Sequence, residues 1–196
     1  AVGERGLVVL DCTAHGKSGH AARGEGINAL YIAVEDIARL RSFRFERESE
    51  LLGPIGIAVT QIEAGTQHNV VPDTCRFVAD IRTTDAYSNE ETVEILRAAI
   101  QSDAVPRSTR IRASALGAEH PLMRAARAAG RTPYVSPTTS DMALMPFPSL
   151  KMGPGQSSRS HTADEFVLLS EIEEGIAVYE NYIEKLAQEY GWKTLG

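Results

Sequence analysis

Between Gly6 and Leu116 the spacing of apolar residues switches between two periods in one particular order, and that order leaves few folds open. Strict alternation marks a strand half-buried in a sheet, whereas recurrence every three or four residues marks a helix with one apolar side. Residues 6–13 alternate, with Val8, Leu10 and Cys12 on one face. Residues 25–40 repeat as a helix through Ile27, Leu30, Tyr31, Val34, Ile37 and Ala38, with Glu35 and Asp36 falling between them. Residues 41–50 form a polar loop, 55–62 a strand and 65–72 a turn, and 74–83 a strand with Cys75, Phe77, Ala79 and Ile81 on one face. Residues 88–101 form a helix whose start, Ser88 to Glu91, is a capping box, and 111–116 form the last strand. The order β-α-β-β-α-β predicts a ferredoxin-like, two-layer α/β (α+β) domain: four strands under two helices. The second face of such a sheet is expected to need a partner, either another domain or a second copy.

After Leu116 the pattern changes. Residues 121–129 read as a short helix with Pro121 in its first turn and Gly130 beyond its end. Residues 132–135 and 149–152 read as short strands separated by a polar loop, and 170–190 as a long helix. In that helix Ser170 and Glu173 form a second capping box, and Ile172, Ile176, Tyr179, Ile183 and Leu186 an apolar stripe. Two short strands are too little to close a core alone, so residues 117–196 are expected to be part of a larger domain, distinct from the domain at 6–116.

Composition narrows the function classes. The 196 residues are 43% apolar and 23% charged, with a net charge of −6. Lys and Arg are scattered rather than clustered, which excludes a nucleic-acid or membrane-surface partner. No apolar run approaches the ~20 residues that span a bilayer. The opening Ala1-Val2-Gly3-Glu4-Arg5-Gly6 carries no leader pattern and, without Met, reads as the start of a trimmed or partial chain. Cys12 and Cys75 have no CxxC partner and read as small buried hydrophobes in a reducing compartment, which makes the cytoplasm the expected location.

The most distinctive chemistry lies in residues 153–165, Gly-Pro-Gly followed by a polar run containing His161. A loop of this kind after a short apolar segment is where α/β proteins place reactive groups, and His161 is a candidate metal ligand. A catalytic zinc needs about three protein ligands and an open position, and no second cluster in the chain supplies the others. His20, in Gly16-Lys17-Ser18-Gly19-His20-Ala21-Ala22, could donate to a developing oxyanion or simply order its loop. Asn69 could cap its own turn or offer its amide to a carboxylate. Arg82 ends its strand on the uncovered face, where its fork suits a carboxylate unless Asp80 pairs with it. Ser140 and Asp141 follow Thr139 in a polar loop, but without a Gly-x-Ser-x-Gly elbow a serine hydrolase is rejected. His15 and His120 read as structural. No Gly-x-Gly-x-x-Gly, P-loop, EF-hand or His-Glu-x-x-His run is present.

Taken together, four segments resemble the M20 family of metallohydrolases, the acetylornithine deacetylase and succinyl-diaminopimelate desuccinylase group. They are Gly16 to Ala22, Gly65-Thr66-Gln67-His68-Asn69-Val70-Val71-Pro72, Asp80-Ile81-Arg82, and Gly153-Pro154-Gly155 through His161 to Glu165. The run Ser157 to Glu165 looks most like acetylornithine deacetylases, which implies a role in arginine biosynthesis. The resemblance implies a lid or dimerisation domain at 6–116 and the last part of a zinc-hydrolase catalytic domain at 117–196. It implies hydrolysis of an N-acyl amide by water bridging two zinc ions, or cobalt in their place. Under it His161 is a metal ligand, and His20 polarises the scissile carbonyl in the partner subunit's site. Asn69 and Arg82 hold the carboxylate of a small N-acylated amino acid, Thr139, Ser140 and Asp141 line the pocket, and the lid pairs two copies into a homodimer. The family's remaining metal ligands precede its lid, so the chain by itself is expected to hold no metal pair and to be inactive. A non-catalytic dimerisation module, and desuccinylase or dipeptidase specificity, are the alternatives.

Overall fold

The computed structural model describes residues 1–136, 139–160 and 162–192. In chain order its elements are β1 (Gly3–Glu4), β2 (Val8–His15), β3 (Gly19–His20), α1 (Ala29–Ser42), β4 (Gly56–Ala64), β5 (Val70–Val71), β6 (Thr74–Arg82), α2 (Asn89–Ala99), β7 (Asp103–Pro106), β8 (Ser114–Ala115), α3 (Pro121–Ala128), β9 (Val135–Ser136) and α4 (Leu169–Glu189). Short 3-10 turns lie at Ala21–Arg23, Asp141–Leu144 and Ser157–Arg159. The chain divides into two compact units. One comprises Ala1–Gly3, Ala115–Ser136 and Met145–Gly196, the other Glu4–Ser114 and Pro137–Leu144.

In the unit built on Glu4–Ser114 the sheet runs β4-β6-β2-β7, antiparallel throughout, as a ferredoxin-like fold requires. Val8 sits opposite Ile81 and His15 opposite Thr74, so β2 and β6 pair along their length. Alternation then sends Val8, Leu10, Cys12 and Ala14 of β2, with Cys75, Phe77, Ala79 and Ile81 of β6, into one buried layer under α1 and α2. Each fully buried large apolar side chain there stabilises the fold by roughly 1.5–3 kcal/mol. The fourth strand is not 111–116. It is β7, where Cys12 faces Ala104, while Ile111 makes only a single bridge to Leu7. Four residues with one buried member carry too little alternation to be recognised in the sequence. The open face carries ion pairs (Asp80–Arg82, Asp11–Arg107, His15–Asp103).

Helix α1 is rotated from the expected stripe. Tyr31 and Val34 are exposed, and Ala29, Ala33, Asp36 and Leu40 line the buried side. Two alanines let the helix approach the sheet closely. Asp36 is buried where a turn's donors converge. Its carboxylate accepts from the backbone N–H of Gln101 at 3.0 and 3.1 Å, from Ser102 N–H at 2.8 Å and from Ser102 Oγ at 2.7 Å. Arg39 Nη1 adds a further bond at 3.1 Å. Asp36 thereby ties α1 to the turn that leads from α2 into β7. At the start of α2 the capping box forms as its sequence predicts, Ser88 Oγ accepting from Glu91 N–H and Glu91 from Ser88 N–H.

In the other unit α3 packs on α4 through Ala125, Ala126 and Tyr182, with Leu122, Leu150, Met152 and Leu186 around them. Residues 149–152 form no strand; Lys151 N–H instead donates to Ala1 O at 2.9 Å. Helix α4 begins near Leu169, one residue before the expected start, and Glu171 rather than Glu173 returns to the backbone, accepting from Leu168 N–H at 2.9 Å. Its expected core stripe is largely exposed, Ile176 by 57% and Ile183 by 60%, whereas Tyr182 and Ala187 are buried. No helix among the described residues is long and apolar enough to cross a membrane.

The Asp36→Ala variant strands three N–H or O–H donors in a buried turn. Its expected cost is about 3 kcal/mol or more, read as a fall in the urea midpoint. A loss below about 1 kcal/mol would show that the carboxylate is dispensable.

Candidate functional site

The candidate residues fall at two separate ends of one unit and in a loop of the other. At the first end the chain leaves β2 through a glycine-rich loop, residues 16–28, that returns to start α1. Gly19 and His20 pair antiparallel with Val71 and Val70, and Ala21 N–H donates to Asn69 O at 3.1 Å. The structure therefore brings His20 and Asn69 together at one corner. His20 is exposed and caps the 3-10 turn Ala21–Arg23, its Nδ1 accepting from Ala22 N–H at 3.2 Å. That bond assigns the ring's tautomer: with Nδ1 accepting, the proton of neutral imidazole resides on Nε2. His20 thus orders the loop with one nitrogen and keeps an N–H donor on the other.

At the opposite end, Arg82 donates to Asp80 through Nε at 2.7 Å and Nη2 at 3.1 Å. Eight steps of extended chain carry β6 from Thr74 to Arg82, so Arg82 lies roughly 26 Å along the strand from Thr74, the end nearer the His20 corner. Beyond it Gly6 and Thr83 exchange backbone bonds at 3.0 and 3.1 Å. The 139–144 segment attaches beside that exchange. Ser140 donates from N–H at 2.8 Å and Oγ at 2.7 Å to the buried carboxylate of Glu4, and Thr139 Oγ1 donates to Arg5 O at 3.3 Å. Asp141 is exposed and opens the turn Asp141–Leu144. Thr139, Ser140 and Asp141 thus share an end with Arg82, not with His20 and Asn69. Buried Glu4 leaves no signal in the sequence because it lies in a short opening segment with no periodicity.

In the other unit the loop after Gly153-Pro154-Gly155 borders an open cavity of about 500 Å³ lined by residues including Tyr134, Met152, Pro154, Gln156, Arg159 and Phe166. Arg159 grips Glu171 through both guanidinium nitrogens, Nη1 at 2.8 Å to Oε2 and Nη2 to Oε1, and lies 4.7 Å from the centre of the Phe166 ring. Arg159 O accepts from Thr162 Oγ1 at 2.8 Å, closing the turn. The Arg159 guanidinium, then the Leu168 N–H, hold the Glu171 carboxyl down to about 2. Twelve residues separate this pair in sequence, and no local pattern links them. His161, the expected metal ligand, lies outside the described residues. Among the described residues no group of three or more His, Cys, Asp or Glu could hold a metal ion. His15 pairs with Asp103 at 3.1 Å, and His120 Nδ1 caps α3 by accepting from Leu122 N–H at 3.2 Å, both structural roles. Cys12 and Cys75 are free and buried, and burial pushes the Cys12 thiol up to about 12.

Residues 2–108 match the peptidase dimerisation domain of the M20 family. The chain belongs to that family. The succinyl-diaminopimelate desuccinylase of Paracoccus denitrificans is 31% identical over 99 residues, covering 50% of this chain and 26% of that protein. The desuccinylase of Orientia tsutsugamushi (strain Boryong) is 26% identical over 102 residues, 51% of this chain and 26% of that protein. Among solved structures, the aminopeptidase PepT of Bacillus cereus aligns with a TM-score of 0.70 at 22% identity, over 95% of this chain and 53% of that one. The YXEP protein of Bacillus subtilis, described as a dinuclear metal binding peptidase of the M20 family, aligns with a TM-score of 0.62 at 19% identity, over 98% and 51%. The chain spans about a quarter of the curated relatives it matches and about half of these structural neighbours. The M20 lid fold is therefore established, and the desuccinylases stand among its relatives.

Glu171 supplies a pH test of the Arg159 tether. Its folded pKa is depressed, so the tether's contribution is complete above the ordinary glutamate range and is lost as pH falls from about 4.5 towards 2. The Arg159 Nη2–H resonance is expected to lose protection across that window and to be unprotected at all pH values in Glu171→Ala. Retained protection in that variant would remove Glu171 as its partner.

Proposed function

We propose that the chain supplies the lid, residues 6–116, and part of the catalytic domain, residues 117–196, of a metal-dependent amidohydrolase that cleaves small N-acylated amino acids. The observation that carries this reading is the exposed His20 ring on an M20 lid, with Nδ1 occupied and an Nε2–H donor left for a substrate oxygen. A donor of that kind stabilises the charge that gathers on a carbonyl oxygen under attack, and in a water-poor site the effect is worth factors of ~10²–10³ in rate. When bound, a metal pair, zinc or cobalt, would activate the attacking water. His161 is the chain's candidate ligand, but the described residues do not assemble a metal cluster, so no step is assigned to the metal.

The geometry favours two copies working together. Asn69 precedes and Arg82 ends β6, a strand roughly 26 Å long, so the two are too far apart to grip one carboxylate. A homodimer joined through the lids removes that conflict if one copy offers the His20–Asn69 corner and the other its Arg82 end with Thr139, Ser140 and Asp141. Between acyl groups, the named relatives favour N-succinyl substrates such as N-succinyl-diaminopimelate. N-acetylornithine, and with it arginine biosynthesis, has only the 157–165 run in its favour.

The full-length protein with added Zn²⁺ or Co²⁺ is expected to hydrolyse N-succinyl-diaminopimelate faster than N-acetylornithine, to lose activity to a chelator, and to sediment as a dimer. His20→Ala is expected to lower kcat about 10²–10³-fold with a smaller change in KM. Full activity in that variant would sink the role given to His20. Dimers without turnover of either substrate would leave the non-catalytic dimerisation module as the better reading.

A further inference from the structure

The loop that carries His20 is closed in an unusual way, by backbone lying directly on backbone. Its outgoing arm, residues 16–19, and its returning arm, residues 25–27, cross without side chains between them. Lys17 and Ile27 exchange N–H···O bonds at 2.8 Å in both directions. A β-carbon placed on Gly16 would come 2.1 Å from Ile27 O and 2.8 Å from Ala29 N. One on Gly19 would come 2.3 Å from Glu25 O, and one on Gly26 2.4 Å from Lys17 O. Gly26 also has φ of +92°, a conformation that side chains disfavour. Each obstacle is main chain, so it cannot swing aside as a side-chain tip would. Gly24, in the same loop, is the contrast: its φ is +65°, yet nothing lies within 4 Å of its added β-carbon.

Outside contacts anchor the same arms. Gly16 N–H donates to Asp73 O at 2.7 Å, Ser18 Oγ to Asp73 Oδ2 at 3.0 Å, and Ala29 N–H to Pro72 O at 3.0 Å. The tip, by contrast, is tied to the rest of the lid only lightly. His20 is exposed, the Ala21–Arg23 turn has no buried residue, and its ties are the Gly19–Val71 and His20–Val70 pairing and the Ala21 to Asn69 bond. The position of the imidazole is therefore set from below, by how closely the two arms cross. A displacement of about 1 Å is enough to cost a well-placed catalytic group on the order of 10²-fold in rate.

We infer that Gly16, Gly19 and Gly26 are positioning residues for His20: their missing side chains let the loop arms cross at contact distance and hold the imidazole, with its Nε2–H outward, at the tip. The inference rests on the function proposed above only for its catalytic consequence; the placement of the ring stands independently. Gly16 abuts Ala29 of the apolar core, but Gly19 and Gly26 meet only loop backbone, so substitution at those two acts on the loop and leaves the sheet intact.

The test uses Gly19→Ala and Gly26→Ala, with Gly24→Ala as the control for backbone strain without collision. In the parent protein the His20 ring ¹⁵N shifts should report a single Nε2–H tautomer, and the Ala22 amide should exchange slowly. In Gly19→Ala and Gly26→Ala the ring shifts should move to those of a free imidazole mixture and Ala22 exchange should accelerate at least tenfold. Leu10 and Ile81 amides should stay protected, and Gly24→Ala should keep the parent signature. Turnover in the full-length protein should fall at least tenfold in kcat for the first two variants and stay near the parent value for Gly24→Ala. A parent-like His20 signature in Gly19→Ala and Gly26→Ala would overturn the inference. So would a loss of core protection in those variants, since the glycines would then serve the fold and not the ring. If the signature moves while turnover does not, and His20→Ala also turns over normally, the positioning stands and the catalytic role of His20 falls.

Discussion

The lid depends on a buried carboxylate. Asp36 sits in the middle of α1 with no exposed surface and accepts from the backbone and hydroxyl of the turn between α2 and β7. A charge in that position is tolerated only because donors surround it, and once surrounded it determines where the turn can lie. That turn delivers β7 to the edge of β2, and β7 completes the four-stranded sheet. Asn89 acts as a second polar rivet of the same kind. It accepts from Thr83 Oγ1 at 2.7 Å and donates to Thr109 O and Ile111 O at 2.9 Å each, tying the end of β6 to the segment after β7. Apolar burial supplies most of the stabilisation, but these two directional networks choose among the ways the helices could lie on the sheet.

A frame held in this way can carry exposed, lightly tied loops at its ends. The His20 corner and the Arg82 end project from opposite ends of the same stiff β6 strand. Their separation follows from strand geometry and not from loop conformation, which is why a two-copy arrangement suits the proposed chemistry better than a single chain. The other unit uses a different device: the Arg159–Glu171 pair is largely shielded from water, stacks on Phe166 and joins the loop after Gly153-Pro154-Gly155 to the first turn of α4.

Much of the lid was legible in the sequence because its two central strands are buried on one face only, and alternation survives wherever one face is wet. The β2 and β6 faces, the α2 capping box and the Asp80–Arg82 neighbourhood all carry local signals of that kind. The misreadings share a cause. Strand β7 buries one residue, too few to form a pattern. Helix α1 centres its buried side on alanines and an aspartate, so the large apolar residues captured only its flank, Leu30 and Ile37. The apolar stripe of α4 is real, but periodicity reports only that a face is apolar and not whether anything covers it within this chain.

By itself the sequence determined the order of strands and helices, the inward faces of the central strands, and the set of polar residues from which a site could be made, because those properties depend on neighbours within a few positions. Only the tertiary structure decided that His20 meets Asn69, that Arg82 and Ser140 stand at the far end, that Glu4 holds Ser140, and that Arg159 answers Glu171. Each of those facts depends on register or on backbone crossing between distant segments, and neither leaves a mark in local composition. The β-α-β-β-α-β order thus restricted the fold, while the pairing of β2 with β6 settled how far apart the candidate site residues lie.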